Sequence, residues 1–123
     1  MTKVVINQCY GGFTLSKKAI DWLEEHGVFN TPYLQENLLR TKKWMKESEE
    51  NYTPDDMYIA RDNPLLVECV ETLKEDSFKQ GISKLVVEEW KGTLDKDFFI
   101  GDYDGYEDIF YNEGEADDYS RQL

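Results

Sequence analysis

One histidine and two cysteines are too few, and too far apart, for the commonest protein metal centres. A structural zinc site takes four Cys, His or carboxylate ligands at short spacings, and Cys9, His26 and Cys69 supply no such grouping. Nucleophilic catalysis is no better served. His26 falls in the last turn of a helical stretch on its apolar side, where a helix C-terminus favours a partly buried or protonated imidazole. Ser16 and Asp21 are near it in sequence, but no G-x-S-x-G turn is present. Cys9 sits in an apparent turn and Cys69 on an apolar helix face, the usage of a reduced cytosolic protein without a disulfide framework. No apolar run approaches the ~20 residues of a membrane span. The opening "MTKVVINQCYGGF" does not read as a signal peptide. The expectation is a cytoplasmic protein that needs neither metal nor cofactor.

Positive charge is also in short supply. Fourteen Lys and Arg stand against 26 Asp and Glu, for a net charge of −12. Residues 95 to 123 hold 10 of the acids against only Lys96 and Arg121. Direct nucleic-acid binding needs a basic footprint that releases counterions from phosphates, so this distribution argues against it. It favours a basic partner, a bound cation, or solubility alone.

What is present reads as one domain over residues 1–112, with an acidic tail over 113–123. Val4-Val5-Ile6 is a short β-branched run, expected to be a buried strand. Ser16 offers an N-cap to a first helix carrying Leu15, Ala19, Trp22, Leu23 and His26 on one side, closed by Gly27. Thr31-Pro32 starts a second helix running to about Glu49, with Leu34, Leu38, Thr41 and Met45 as its stripe and Tyr33 and Trp44 widening it. Its other face carries Arg40, Lys43 and Lys46. "ENYTPDDMYIARDN" reads as a loop with one extended piece at Met57 to Ala60. Asn63-Pro64 starts a third helix with Leu65, Leu66, Cys69, Val70 and Leu73 on its apolar face, ending near Asp76. "ISKLVVEEW" has the composition of a strand. The order implies an α+β fold, with a small mixed or antiparallel sheet built from the N-terminal strand, the C-terminal strand and a hairpin, and about three helices on one face.

The hairpin is "FFIGDYDGYEDIFY", folded about Asp104-Gly105, a dipeptide that favours a two-residue turn. In that register Ile100 meets Ile109, Phe99 meets Phe110, Phe98 meets Tyr111, and Asp102 meets Glu107. Opposed like charges cost a few tenths of a kcal/mol, up to roughly 1. Either something positive sits there or the tip is reserved for a positive partner. If the fold alone holds the two acids together, Glu107→Lys or Glu107→Gln should leave stability unchanged or slightly higher. The candidate partner-binding residues at the tip are Asp102, Tyr103, Asp104, Tyr106, Glu107 and Asp108, with Glu113, Glu115, Asp117 and Asp118 of the tail extending the negative row. Arg40, Lys43 and Lys46 are candidates for contact with an acidic partner surface.

The residues suggest two other chemistries. "CYGGF" between a strand and a helix suggests an anion or nucleotide site using Cys9, Gly11, Gly12 and Ser16, although neither G-x-G-x-x-G nor a P-loop is present. The bland reading is that the glycines turn the chain while Tyr10 and Phe13 pack beneath it. "DYDG" resembles only the start of a calcium loop, its glycine two places too early.

"VVINQCYGGFTLSKKAI", "RDNPLLVECVETL", and "KLVVEEW" followed by "FFIGDYDGYEDI" resemble a widespread family of small uncharacterised phage and prophage proteins. The likeness covers residues 3–26 and 59–110, so that residues 30–50, with the second helix, look like an insertion. The family brings no catalytic residues to carry over. The resemblance implies a mobile-element setting in the host cell cytoplasm, where small acidic proteins block host nucleic-acid enzymes or defence systems. The expectation is a non-enzymatic inhibitor of a basic host nuclease or other nucleic-acid-binding protein, such as a CRISPR effector. An anti-CRISPR protein acting as a DNA mimic is the concrete example.

Overall fold

A computed structural model describes residues 1–54 and 59–111. The elements run β1 (Thr2–Asn7), α1 (Lys17–Glu25), α2 (Pro32–Ser48), α3 (Pro64–Leu73), a single 3-10 turn (Lys74–Ser77), β2 (Leu85–Trp90), β3 (Phe98–Tyr103) and β4 (Tyr106–Tyr111). This is an α+β fold with two antiparallel two-stranded sheets, β1 with β2 and β3 with β4. The extended piece expected at Met57 begins outside the described residues, and the tail acids lie outside them altogether.

The caps explain the helix starts. Ser16, Thr31 and Asn63 each accept a hydrogen bond from a first-turn N–H, and proline follows Thr31 and Asn63 at the first helical position. α1 ends at His26, followed by Gly27 at φ +78, and α2 ends on Glu49 in the left-handed region at φ 58. Two details differ from the sequence reading. Tyr33 is 62% exposed and does not widen the α2 stripe, in which Leu38, Thr41 and Met45 are buried as expected, Leu34 is half-buried and Asn37 is added. His26 is exposed, its ring stacked on Trp22 with centroids 3.6 Å apart.

β1 is the centre of the molecule. Val4, Val5 and Ile6 are completely buried, because the β1–β2 sheet is covered on both faces. A strand in that position carries a continuous apolar run instead of an alternation. Val5, with Leu85 and Val87, joins the core formed with α1 and α3 through Ala19, Ile20, Leu23, Leu66, Cys69 and Val70. On the opposite face Val4 and Ile6, with Val86 and Trp90, pack on Phe98, Ile100 and Ile109 of the hairpin. The layers are therefore helices, sheet and hairpin. α2 is peripheral: Leu38, with Leu34 packed alongside, is its share of the larger core.

The sheets stay separate for a physical reason. On the open edge of β1, the Val5 N–H donates to the Arg61 carbonyl at 2.9 Å, and the Asn7 N–H donates to the Glu107 carboxylate at 2.8 Å. The donors that would recruit a third strand are already satisfied. Among the described residues no helix is long and apolar enough to cross a membrane.

Cys69 is fully buried with its thiol near the Ala19 carbonyl, and burial pushes that thiol up to about 12. The folded chain thus holds the proton more tightly than the unfolded one. This contribution to stability is whole below the ordinary thiol range near pH 8.5 and is lost as pH rises towards about 12. Alkaline denaturation is expected to steepen across that window, and less so in Cys69→Ala once both proteins are referenced to pH 7. Maleimide labelling of the native protein at about pH 8 should modify the partly exposed Cys9 and spare Cys69. Equal labelling of both thiols, read by mass spectrometry, would contradict the burial.

Candidate functional site: the hairpin tip and its seat

The hairpin has the register its sequence implies. Asp102 pairs with Glu107, Gly101 with Asp108 and Tyr103 with Tyr106, and the turn is Asp104 at φ 56 followed by Gly105 at φ 92. Both central residues have positive φ, the twist that a two-residue connection requires. The Asp102 carboxylate accepts a hydrogen bond from the Gly105 N–H at 2.8 Å and so closes the turn.

The opposed acids are resolved by an arginine. Glu107 is buried at 5% exposure, and Arg61 forks onto its carboxylate with Nη1 at 2.5 Å from Oε1 and Nη2 at 2.8 Å from Oε2. Such a bidentate charge-assisted pair is among the strongest polar contacts available inside a protein. Arg61 Nη1 also reaches the Val5 carbonyl at 3.3 Å, and the guanidinium lies 3.8 Å from the centroid of the Phe13 ring. With the Asn7 N–H on Oε1, Glu107 has three donors. Its place among the partner-binding candidates is therefore corrected: it faces inward beneath the strand and is spoken for. No buried side-chain polar atom lacks a partner among the described residues.

Asn7 completes the seat. Its side-chain amide donates to the carbonyls of Cys9 and Gly105, each at 2.8 Å, while its oxygen accepts from the Lys84 N–H at 2.8 Å. One fully buried amide thus ties together the end of β1, the glycine turn, the approach to β2 and the hairpin tip.

That tie fills the Gly11-Gly12 turn. A Cβ on Gly11 would lie 2.3 Å from the Ile82 carbonyl oxygen, and one on Gly105 would lie 2.6 Å from the Tyr10 carbonyl oxygen and 2.9 Å from the Gly12 nitrogen. The Gly12 carbonyl accepts from the Ser83 hydroxyl at 2.6 Å. Chain approaches chain where the ligand reading wanted a phosphate. Nor does the turn open directly into a helix, since residues 13–16 intervene before α1. Phe13 packs beneath as expected, but Tyr10 is 63% exposed, with its ring 5.1 Å from that of Tyr106. Ser16 is occupied as a cap and also donates to the Asp76 carbonyl. Cys9 borders a shallow depression of about 350 Å³ with Gln8, Phe78, Gln80 and Lys84, and Ser16 borders a separate one of about 340 Å³ with Lys17, Lys18 and Lys79.

On the surface the structure brings together Asp102, Tyr103, Asp104 and Asp108, all exposed, with Tyr106 half-buried beside them. None of these three aspartates forms an ion pair with a described residue. Arg40, Lys43 and Lys46 are exposed on α2, a different element, with Arg40 3.9 Å from Glu36. Sequence reasoning missed the outward rings of Phe99 and Phe110, which are 42% and 49% exposed. The signal was available: "FFI" against "IFY" is apolar on both faces, and a hairpin lying on a single body can cover only one. Among the described residues no three His, Cys, Asp or Glu side chains gather closely enough to hold a metal ion. Comparison with protein-family models, curated proteins and solved structures returned no match.

Proposed function

We propose that this is a non-enzymatic binding protein of a phage or prophage that inhibits a host nucleic-acid-binding protein by occupying its basic groove, a CRISPR effector being the concrete partner class. The observation that carries the reading is the hairpin tip. Asp102, Asp104 and Asp108 stand exposed near Tyr103 and form no ion pair with a described residue, while the one acid of the group that needed a cation, Glu107, has it internally. Unpaired carboxylates beside aromatic rings suit a positively charged, partly apolar surface. A net charge of −12 adds a long-range attraction to any groove that ordinarily holds phosphates.

The test is capture. The immobilised chain is expected to retain a basic nucleic-acid-binding protein from bacterial lysate, and added DNA or guide RNA should release it. A retained protein that binds nucleic acid and this chain simultaneously, without interference, would contradict the reading.

A further inference from the structure

The outward face of the β3–β4 hairpin is largely open among the described residues, with Phe99 42%, Phe110 49% and Tyr103 77% exposed. Phe99 and Phe110 face each other across the ladder, stacked with centroids 5.6 Å apart. The next pair is Gly101 and Asp108, and a Cβ on Gly101 would lie 2.7 Å from Phe110 Cε2, so the Phe110 ring lies across the glycine. Beyond them Tyr103 pairs with Tyr106, whose ring meets that of Tyr10. Alternate residues on a strand step about 6.8 Å, so the ring-bearing face from Phe99 to Tyr103 spans roughly 14 Å. Asp108 is the carboxylate within it, between Tyr106 and Phe110 on β4, and it is exposed.

The chemistry of this face selects its occupant. Phosphates of a nucleic acid would be repelled by Asp108 on this face and by Asp104 in the adjoining turn. A second copy of the chain would bring the same carboxylates together with a net charge of −12 on each side. An aliphatic surface would bury Asp108 without a partner, at a heavy desolvation cost. A guanidinium meets every requirement, because it is flat enough to stack on a ring, is always charged, and forks onto a carboxylate. The chain uses that combination internally, where Arg61 lies over Phe13 and forks onto Glu107.

We infer that the outward face of the hairpin is the docking surface for an arginine-bearing basic patch on a partner protein, with an arginine stacked on Phe110 or Tyr106 and hydrogen-bonded to Asp108. The inference deepens the inhibitor reading and rests on it for the partner being a protein. The choice of arginine over lysine is independent of it.

The experiment titrates the full chain with nona-arginine and nona-lysine peptides and follows backbone amide shifts by NMR. Arginine should bind tighter than lysine by about fivefold or more, with the shifts centred on residues 99–103 and 106–110. Asp108→Asn and Phe110→Ala should remove that preference. Phe110→Leu keeps cover over Gly101 while removing the ring, so it should lose the preference even if Phe110→Ala loosens the hairpin. Equal affinities for the two peptides, a preference unchanged in these variants, or shifts confined to residues 112–123 would overturn the proposal. So would self-association that the same substitutions abolish, which would make a second copy the occupant. Arginine preference without nucleic-acid competition at a captured partner would keep this surface and remove the inhibitor reading. Competition with equal peptide affinities would do the reverse.

Discussion

Arg61→Ala and Glu107→Gln should each destabilise the protein, by about 3–5 kcal/mol for Arg61→Ala, which strands the buried Glu107 carboxylate, and towards the lower end of that range for Glu107→Gln, which strands the partly exposed Arg61. For a chain of this length that corresponds to a fall in Tm of roughly 10 °C or more, read by calorimetry or circular dichroism. The direction reverses what the sequence implies. Read as one of two opposed surface acids, Glu107 looks like a liability whose removal is neutral or mildly favourable. In the structure it is 5% exposed and accepts from Arg61 twice and from the Asn7 N–H once. The double replacement Arg61→Met with Glu107→Leu should recover most of the loss, since apolar pairs of similar volume often substitute for buried ion pairs without penalty. A loss below about 1 kcal/mol for both single variants would mean that the pair is solvated and worth no more than a surface bridge.

A second large effect is expected at glycines where no ligand sits. Gly105→Ala places a Cβ at a φ of +92 and 2.6 Å from the Tyr10 carbonyl oxygen, adding backbone strain to a clash with main chain. Gly11→Ala meets the Ile82 carbonyl oxygen at 2.3 Å with no flexible side chain to yield. Each should cost about 3 kcal/mol, within the range for combined strain and overpacking. The NMR signature distinguishes this from a lost ligand site: shift changes should appear on both the hairpin tip and the glycine turn in either variant. Substitution by alanine at both positions with unchanged stability would show that the two turns are not packed together and would reopen the ligand reading.

These two results also mark where the sequence ceases to be legible. Local signals held because their causes are local. Proline after a cap fixes the start of a helix, Asp-Gly fixes a two-residue turn, and cross-strand pairs such as Ile100 with Ile109 then fix the register. The doubly covered β1 could be read from three β-branched residues in a row, but not what covers each side. The contacts that make the site are long-range. Arg61 is 46 residues from Glu107, and the Asn7 N–H is 100 residues from it. Arg61 lies in a stretch without periodicity, and one clue was available: it is the only Lys or Arg between Lys46 and Lys74. A solitary cation in a segment rich in acids is a candidate partner for a carboxylate that the turn register places in an unfavourable pair. The expected single sheet became two for a similar reason, since the edge of β1 is satisfied by an arginine carbonyl and a carboxylate, which leave no periodic trace.

With Glu107 internal, the exposed acids of the described hairpin tip reduce to Asp102, Asp104 and Asp108, and this separation of roles can be measured directly. Association rates with the captured partner should be compared for the parent chain, for the triple variant Asp102→Asn, Asp104→Asn, Asp108→Asn, and for Glu107→Gln, across a range of salt. Exposed charges act mainly on encounter and are screened over about 8 Å at physiological ionic strength. The account predicts that the triple variant associates about tenfold more slowly at low salt, that the difference shrinks as salt rises, and that folded Glu107→Gln associates at the parent rate. Equal rates for the triple variant and the parent at low salt would contradict it, and the acidity of the hairpin tip would then have no part in recognition.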